Sequence, residues 1–171
     1  VTDFTIGTNG FAGALPESGF HAMRALSTVY VFANRFEGSL PERGLAMHAF
    51  TGFHIYRNGF EGALPEAGLK AMQALRVFRI YRNEFKGALP DSGIRSMTIA
   101  TEFEIARNGF AGALPCAGLN AMRAVRTFYL FMNTLQGTLP AVGMRGMAAM
   151  RTFNVNTNGF SGCLPEGGLE A

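Results

Sequence analysis

Hydrophobic and polar positions alternate in short stretches that recur about every 25 residues along the chain. The stretch 75–97 reads LRVFRIYRNEFKGALPDSGIRSM, in which Phe78 and Ile80 are apolar while Arg79 and Tyr81 point to the other side. A period of two over four or more residues predicts a half-buried β-strand. Because every unit runs in the same direction, we expect one short strand per unit and a parallel sheet built from seven of them.

One asparagine marks the same position in each unit. The seven are Asn9, Asn34, Asn58, Asn83, Asn108, Asn133 and Asn158, with spacings of 25, 24, 25, 25, 25 and 25 residues. A fixed period of this length indicates a solenoid, in which each unit buries its apolar face only against its neighbours. The single shorter spacing falls at 42–48, where a turn can absorb it. We expect the asparagine amides to turn inward and to bond the backbone of adjacent units, because an unpaired buried amide is costly.

A second, covering layer is predicted after the proline that recurs in each unit. The seven are Pro16, Pro41, Pro65, Pro90, Pro115, Pro140 and Pro165. Apolar residues then follow at three-residue spacing, as in Leu69, Met72 and Leu75. Proline presets φ and lacks an N–H, so it suits the corner before a helix and not a central strand. We therefore expect a short α or 3₁₀ turn on the outer side of each unit.

The remaining repeated positions predict a packed scaffold. Two glycines per unit, such as Gly62 and Gly68, indicate positive φ or close backbone approach. Phenylalanine forms two ladders, one of Phe4, Phe53, Phe78, Phe103, Phe128 and Phe153 and the other of Phe11, Phe36, Phe60, Phe85, Phe110 and Phe160. We expect both ladders to lie in the core, where each buried ring stabilises the fold by about 1.5–3 kcal/mol.

The unit L-x-x-F-x-I-x-x-N-x-F-x-G-x-L-P resembles the leucine-rich repeat, L-x-x-L-x-L-x-x-N-x-L, with phenylalanine in two leucine positions. The F-x-G-x-L-P stretch is most similar to the plant-type subclass, although G-L-x-A-M-x-x-L stands where that subclass usually has L-G-x-L. The resemblance implies an α/β solenoid: an arc with a parallel β-sheet on the concave face and short helical or 3₁₀ turns on the outer face. It also implies binding on the concave side.

The organisation predicted is a single repeat domain over residues 1–171, with about seven repeats of 25 residues. Because solenoids normally carry polar capping units, we expect a fragment of a longer chain without its caps. The sequence has no run of 18 apolar residues and no signal-peptide pattern, so no direct membrane span is expected.

Charge and cysteine content narrow the choice of partners. The formal net charge of +3 is mild and no nucleic-acid motif accompanies it, so we expect no nucleic-acid partner. Cys116 and Cys163 lie at different positions of units two turns apart, too far for an unstrained disulfide. Paired cap cysteines and N-x-S/T sequons are both missing from the sequence, which leans weakly against a secreted ectodomain and leaves the compartment open.

Motifs for catalysis are sparse. His21, His48 and His54 fall at three different positions of the repeat and are interpreted as surface histidines, the first two on outer turns and the third on the sheet. No metal-ligand spacing is present, and the G-x-L-P glycines recur as a structural corner and not as a phosphate loop. We expect no enzymatic activity, no metal site and no cofactor.

The outward positions of the sheet are the candidate site. Four residues before the asparagine stand Thr5, Tyr30, His54, Arg79, Glu104, Tyr129 and Asn154; two before it stand Gly7, Phe32, Tyr56, Tyr81, Ala106, Phe131 and Asn156; one before it stand Thr8, Ala33, Arg57, Arg82, Arg107, Met132 and Thr157. The predicted protein-binding residues are Tyr30, Phe32, His54, Tyr56, Arg57, Arg79, Tyr81, Arg82, Glu104, Arg107, Tyr129 and Phe131. Tyrosine and arginine dominate interface hot spots. The competing interpretation is ordinary cross-strand pairing of arginines on tyrosines.

Two functions are consistent with this pattern. The first is a non-catalytic recognition module that binds a protein with an acidic and apolar surface through the exposed sheet face. The alternative is a rigid accessory subunit of a larger complex, organellar or membrane-associated, held by outer positions such as Glu17, Arg43 and Lys70 or by its open ends.

Overall fold

A computed structural model of the protein describes residues 1–18, 20, 23–46 and 50–166. Over these described residues the chain winds as a solenoid whose units each contribute two short parallel strands and, in five units, an outer helix. His21 and His48 lie outside the described residues.

The concave sheet is the one predicted from the alternating pattern. Its strands are β1 (Asp3–Thr5), β3 (Thr28–Tyr30), β5 (Gly52–His54), β7 (Val77–Arg79), β9 (Glu102–Glu104), β11 (Thr127–Tyr129) and β13 (Thr152–Asn154), in that spatial order. All neighbours pair in parallel, with Val29 opposite Phe53 and Phe53 opposite Phe78. These pairs are 24 and 25 residues apart, so the shorter unit keeps the sheet in register, as predicted.

A second parallel sheet was not predicted, because the sequence pattern indicated one strand per unit. Its strands are β2 (Ala12–Gly13), β4 (Arg35–Gly38), β6 (Gly59–Gly62), β8 (Glu84–Gly87), β10 (Gly109–Gly112), β12 (Thr134–Gly137) and β14 (Gly159–Phe160). Most of these strands hold a single apolar residue flanked by polar residues or glycine, as in the GFEG of Gly59–Gly62, so the sequence shows no alternation there. They form because each turn repeats the same backbone conformation, which aligns N–H and C=O groups of successive units.

The outer layer is helical, as predicted from the prolines. The helices are α1 (Glu42–Ala46), α2 (Glu66–Ala71), α3 (Asp91–Arg95), α4 (Cys116–Ala121) and α5 (Ala141–Gly146). Each begins directly after its proline; Pro65, at φ −71°, precedes α2. A Cβ on Gly93 would lie 2.8 Å from the Leu69 Cβ, so this glycine allows close helix packing. The other repeated glycine, such as Gly62 at φ +80°, occupies a left-handed turn.

Both phenylalanine ladders lie in the core. In the first, Phe53, Phe78, Phe103 and Phe128 are fully buried, and ring centroids of Phe103 and Phe128 are 5.2 Å apart. In the second, Phe60 and Phe85 stack at 6.2 Å. Val29 and Leu135 fill the positions without a ring. The ladder ends are less covered; Phe11 is 49% exposed.

The asparagines couple each unit to the one before it. Asn83 Nδ2 donates to the carbonyl oxygens of Ile80, at 2.9 Å, and of Ile55 in the preceding unit, at 3.1 Å. Its Oδ1 accepts from the Phe60 N–H at 3.2 Å. Asn108 and Asn133 repeat the arrangement. The predicted inward orientation and bonding to the adjacent unit are confirmed for the asparagines from Asn34 to Asn158, whereas Asn9 is exposed and its side chain donates within its own unit.

Replacing Asn83 by alanine should therefore cost more than the loss of one side chain. It leaves two carbonyls and one N–H without their partner in a buried position, and we expect the free energy of unfolding to fall by about 2–4 kcal/mol in chemical denaturation. Asn9→Ala is the matched control, because exposed Asn9 donates only to Ile6 and Gly7 of its own unit. Equal losses for the two variants would contradict the coupling role.

Candidate functional site

The concave face carries three parallel columns of side chains, defined by their distance from the asparagine. The column four residues before it lies on the strands themselves, where Tyr30, His54, Arg79, Glu104 and Tyr129 are direct neighbours in register. The other two columns lie where the chain leaves the strand. Side chains at one position are thus brought to about 4.8 Å from their counterparts in the next unit.

The residue directly before the asparagine is left-handed in every unit. These residues are Thr8, Ala33, Arg57, Arg82, Arg107, Met132 and Thr157, with φ between 52° and 58°. Non-glycine residues rarely adopt this conformation. Backbone bonds to the next unit maintain it, as from the Arg82 N–H to the Ala106 carbonyl at 2.9 Å. The turn leaves the side chains of Arg57, Arg82 and Arg107 exposed.

The column two residues before the asparagine is aromatic in its first part. The rings of Phe32 and Tyr56 are 4.8 Å apart at 7°, and those of Tyr56 and Tyr81 are 4.5 Å apart at 9°. These rings are half-buried and stack on one another. In this part of the column the rings stack on one another, whereas the competing arginine-on-ring arrangement occurs at Phe131, where the Arg107 guanidinium carbon lies 6.0 Å from the ring centroid. We call Phe32, Tyr56, Tyr81 and Phe131 the aromatic column.

Ala106 interrupts the aromatic column between Tyr81 and Phe131. A recess of about 290 Å³ opens at this point. It is lined by Arg57, Tyr81, Arg82, Glu104, Ala106, Arg107, Tyr129 and Phe131. Seven of the twelve predicted binding residues thus meet around one hollow. Ala106 was not among the predicted residues; its signal in the sequence is the missing ring in an otherwise aromatic column.

The charges around the recess divide into a paired group and an unpaired group. Arg79 forms an ion pair with Glu102, and its Nε lies 3.5 Å from the Glu104 Oε1. Burial by itself lowers the pKa of Arg79, but Glu104 and Glu102 outweigh it and leave that pKa raised. Among the described residues, no carboxylate forms an ion pair with Arg57, Arg82 or Arg107. The predicted residue Arg79 is thus engaged within the sheet, while these three arginines remain available.

Two groups of the recess, Glu104 and Tyr81, have a raised pKa. Burial raises the pKa of Glu104, and the neighbouring Arg79 opposes part of that shift. Burial also raises the pKa of Tyr81, with Tyr56 and Glu104 adding to it. Tyr81 therefore presents a neutral hydroxyl and ring to the recess at neutral pH.

His54 does not lie exposed on the sheet, which corrects its predicted role in contacting a partner. Only 7% of its surface is exposed, and its ring stacks on Tyr30 at 4.5 Å. The ring also lies over Gly52, whose hypothetical Cβ would be 3.2 Å from the His54 Nε2. The absence of a side chain at Gly52 lets the histidine fold down. Burial and the nearby Arg79 lower the pKa of His54 from 6.5 to about 4, against a smaller effect of Glu102.

Three further predicted residues lie on the same face but do not line the recess. Tyr30, Phe32 and Tyr56 extend the face toward the first units and are half-buried. Cys116 and Cys163 are free and exposed. Within residues 1–18, 20, 23–46 and 50–166, no cluster of three or more His, Cys, Asp or Glu side chains could hold a metal ion. None of the described helices is both long enough and apolar enough to cross a bilayer.

Comparisons with known proteins identify the fold. No protein-family model and no curated protein sequence matches the chain. Among solved structures, the plant peptide hormone receptor RGFR1 in complex with RGF2 aligns with 96% of the chain at a TM-score of 0.89 and 19% identity. The ectodomain of the Arabidopsis receptor kinase HAESA, in complex with an IDA peptide hormone, aligns with 95% at 0.87 and 24% identity. Pollen Receptor Kinase 3 aligns with 99% at 0.83 and 17% identity.

These similarities show that the chain has the leucine-rich repeat fold, with its parallel sheet concave and its helices outside, as predicted. The chain spans 26% of the RGFR1 chain and 27% of the HAESA chain. The missing cap cysteines and sequons leaned against a secreted ectodomain. That expectation does not fit the similar structures, because HAESA and others among them are ectodomains. The plant-type subclass stays a prediction.

The buried histidine gives the fold a defined pH dependence. Unfolded His54 titrates near 6.5 and folded His54 near 4, so between these values the unfolded state binds the extra proton. The free energy of unfolding should then decrease as the pH falls through this interval, by up to about 3 kcal/mol. His54→Phe retains a ring over Tyr30 and removes the proton, so its unfolding free energy should fall less steeply. Denaturant titrations of both proteins across this interval measure the difference; equal slopes would contradict it.

Proposed function

We propose that this chain is a non-catalytic recognition module that binds a peptide or protein segment through its concave face. The observation that carries the proposal is the recess at Ala106, with half-buried aromatic walls and three exposed, unpaired arginines around it. Its lining contains no serine, cysteine or histidine among the described residues, so no nucleophile–base pair faces it.

The face is suited to binding because its aromatic groups are already ordered. Phe32, Tyr56 and Tyr81 stack on one another with nearly parallel rings. Rigid aromatic side chains provide large contact area while losing little conformational entropy when a partner binds. A large half-exposed aromatic surface beside arginines is also the composition in which interface hot spots are enriched.

The charge of the face selects an acidic partner. In the four units around the recess, four arginines (Arg57, Arg79, Arg82 and Arg107) face two carboxylates (Glu102 and Glu104), which leaves a net charge of +2 there. Both of these carboxylates form ion pairs with Arg79. The guanidinium groups of the other three can bind partner carboxylates in bidentate geometry, and they would speed association with an acidic segment.

Similar structures contain partners of the proposed kind. RGFR1 was solved in complex with RGF2, and HAESA in complex with the peptide hormone IDA and with the co-receptor SERK1. An extended peptide that lies along the concave sheet would contact side chains from several units at once. We therefore propose a peptide segment with acidic and apolar residues as the partner of this chain.

Removing two arginines from the face should abolish binding without unfolding the protein. We expect peptides selected from a random display library on the wild-type protein to bind Arg57→Asn/Arg82→Asn at least about 100-fold more weakly, a loss of roughly 2.7 kcal/mol. Asparagine tolerates the left-handed backbone at both positions, so the thermal unfolding midpoint should stay unchanged.

The matched control removes two exposed charges from the helices, as Arg43→Gln/Lys70→Gln. Isothermal calorimetry with the selected peptides should give wild-type affinity for this control. The proposal would be overturned if the selected peptides bound Arg57→Asn/Arg82→Asn with wild-type affinity but bound Arg43→Gln/Lys70→Gln more weakly. They would favour docking through the outer turns, as expected of an accessory subunit.

A further inference from the structure

The break in the aromatic column has a size set by the repeat. Successive rings in the column are 4.8 and 4.5 Å apart and lie within 9° of parallel. These distances follow the spacing of parallel strands. Tyr81 and Phe131 are separated by one unit that carries Ala106 in place of a ring. The slot between them therefore spans two strand spacings, about 9.6 Å.

One planar ring fits such a slot. Placed one strand spacing from Tyr81, it would lie about 4.8 Å from that ring and would meet on its other side the Phe131 ring, which packs edge-on against Tyr129 with centroids 6.2 Å apart. The recess there holds about 290 Å³. Cavities for drug-sized ligands begin at about 300 Å³, so this one suits a single side chain. Ala106 adds no ring to the column; it lines the floor of the recess and is itself covered by the surrounding side chains, with 2% of its surface exposed.

The groups beside the slot are cationic. Arg82 and Arg107 are exposed and lie directly after Tyr81 and Ala106 in the chain. The Arg107 guanidinium carbon is 6.0 Å from the centroid of the Phe131 ring, so this cation already stands at one wall. The carboxylates nearby, Glu102 and Glu104, are held by Arg79. An occupant is therefore favoured when anionic groups lie next to its ring.

We infer that the slot above Ala106 binds an aromatic side chain of a partner peptide, inserted between Tyr81 and Phe131. Acidic residues on either side of that aromatic residue pair with Arg82 and Arg107. The inference rests on the proposed function and specifies it, because it names the residue of the partner that anchors the complex. The ligand class is an acidic peptide with one central aromatic residue.

The probes are two synthetic peptides, Asp-Glu-Trp-Glu-Asp and Asp-Glu-Ala-Glu-Asp. The protein contains no tryptophan, so indole fluorescence reports on the first peptide alone, and calorimetry measures both. We expect the tryptophan peptide to bind wild-type protein at least about tenfold more tightly than the alanine peptide. Equal affinities for the two peptides would overturn the slot.

Filling the slot is the decisive substitution. Ala106→Phe completes the aromatic column with the protein's own ring, so the advantage of the tryptophan peptide should disappear while the thermal unfolding midpoint is retained or raised. Asn156→Phe is the matched control, because it adds the same ring at the same column position on the far side of Phe131. This control should keep the advantage. Ala106→Leu provides a second filling variant should the phenylalanine variant not fold.

The outcomes separate this inference from the proposed function. An unchanged tryptophan advantage in Ala106→Phe and Ala106→Leu would overturn the slot. If library-selected peptides then still depend on Arg57 and Arg82, the concave face remains the binding surface and only the aromatic anchor is wrong. If those peptides are insensitive to both arginines, the proposed function itself fails.

Discussion

The structure depends on the inward asparagine of each unit. Asn83 bonds two carbonyls and one N–H drawn from two successive units, and its counterparts repeat these bonds along the chain. A buried amide has few alternative ways to satisfy its donors and acceptor, so the geometry of one turn determines that of the next. The two sheets, the phenylalanine ladders and the concave columns all follow from this equal spacing.

Equal spacing converts small differences in sequence into defined shapes on the concave face. Where neighbouring units carry Tyr56 and Tyr81, their rings meet at 4.5 Å. Where one unit carries Ala106, a recess of about 290 Å³ opens instead. The left-handed backbone at Arg82 is sterically unfavourable, yet the scaffold holds it through bonds to the next unit. The same turn directs the arginines toward solvent, where a partner can reach them.

Much of the fold was predictable because the same pattern recurs in seven units, so each structural inference is supported by several independent stretches of sequence. The concave strands, the post-proline helices, the inward asparagines and the phenylalanine ladders recur in unit after unit and were found as predicted, except in the first unit, where Asn9 and Phe11 are exposed. The second sheet was missed because most of its strands place a single apolar residue between polar residues or glycine, as in the GFEG of Gly59–Gly62, so no alternation is visible. The burial of His54 was missed because it depends on the absent side chain at Gly52, and this combination of glycine and histidine does not repeat in the other units.

The sequence by itself determined the period, the identity of the scaffold residues and which residues share a column. It did so because stacking in register makes sequence distance from the asparagine equivalent to position on the surface. Only the tertiary structure decided how the columns are used: that Arg79 is engaged by Glu102 and Glu104 while Arg57, Arg82 and Arg107 remain unpaired, and that Ala106 marks a recess. Those properties arise from contacts between side chains of different units, whose orientations no single repeat specifies.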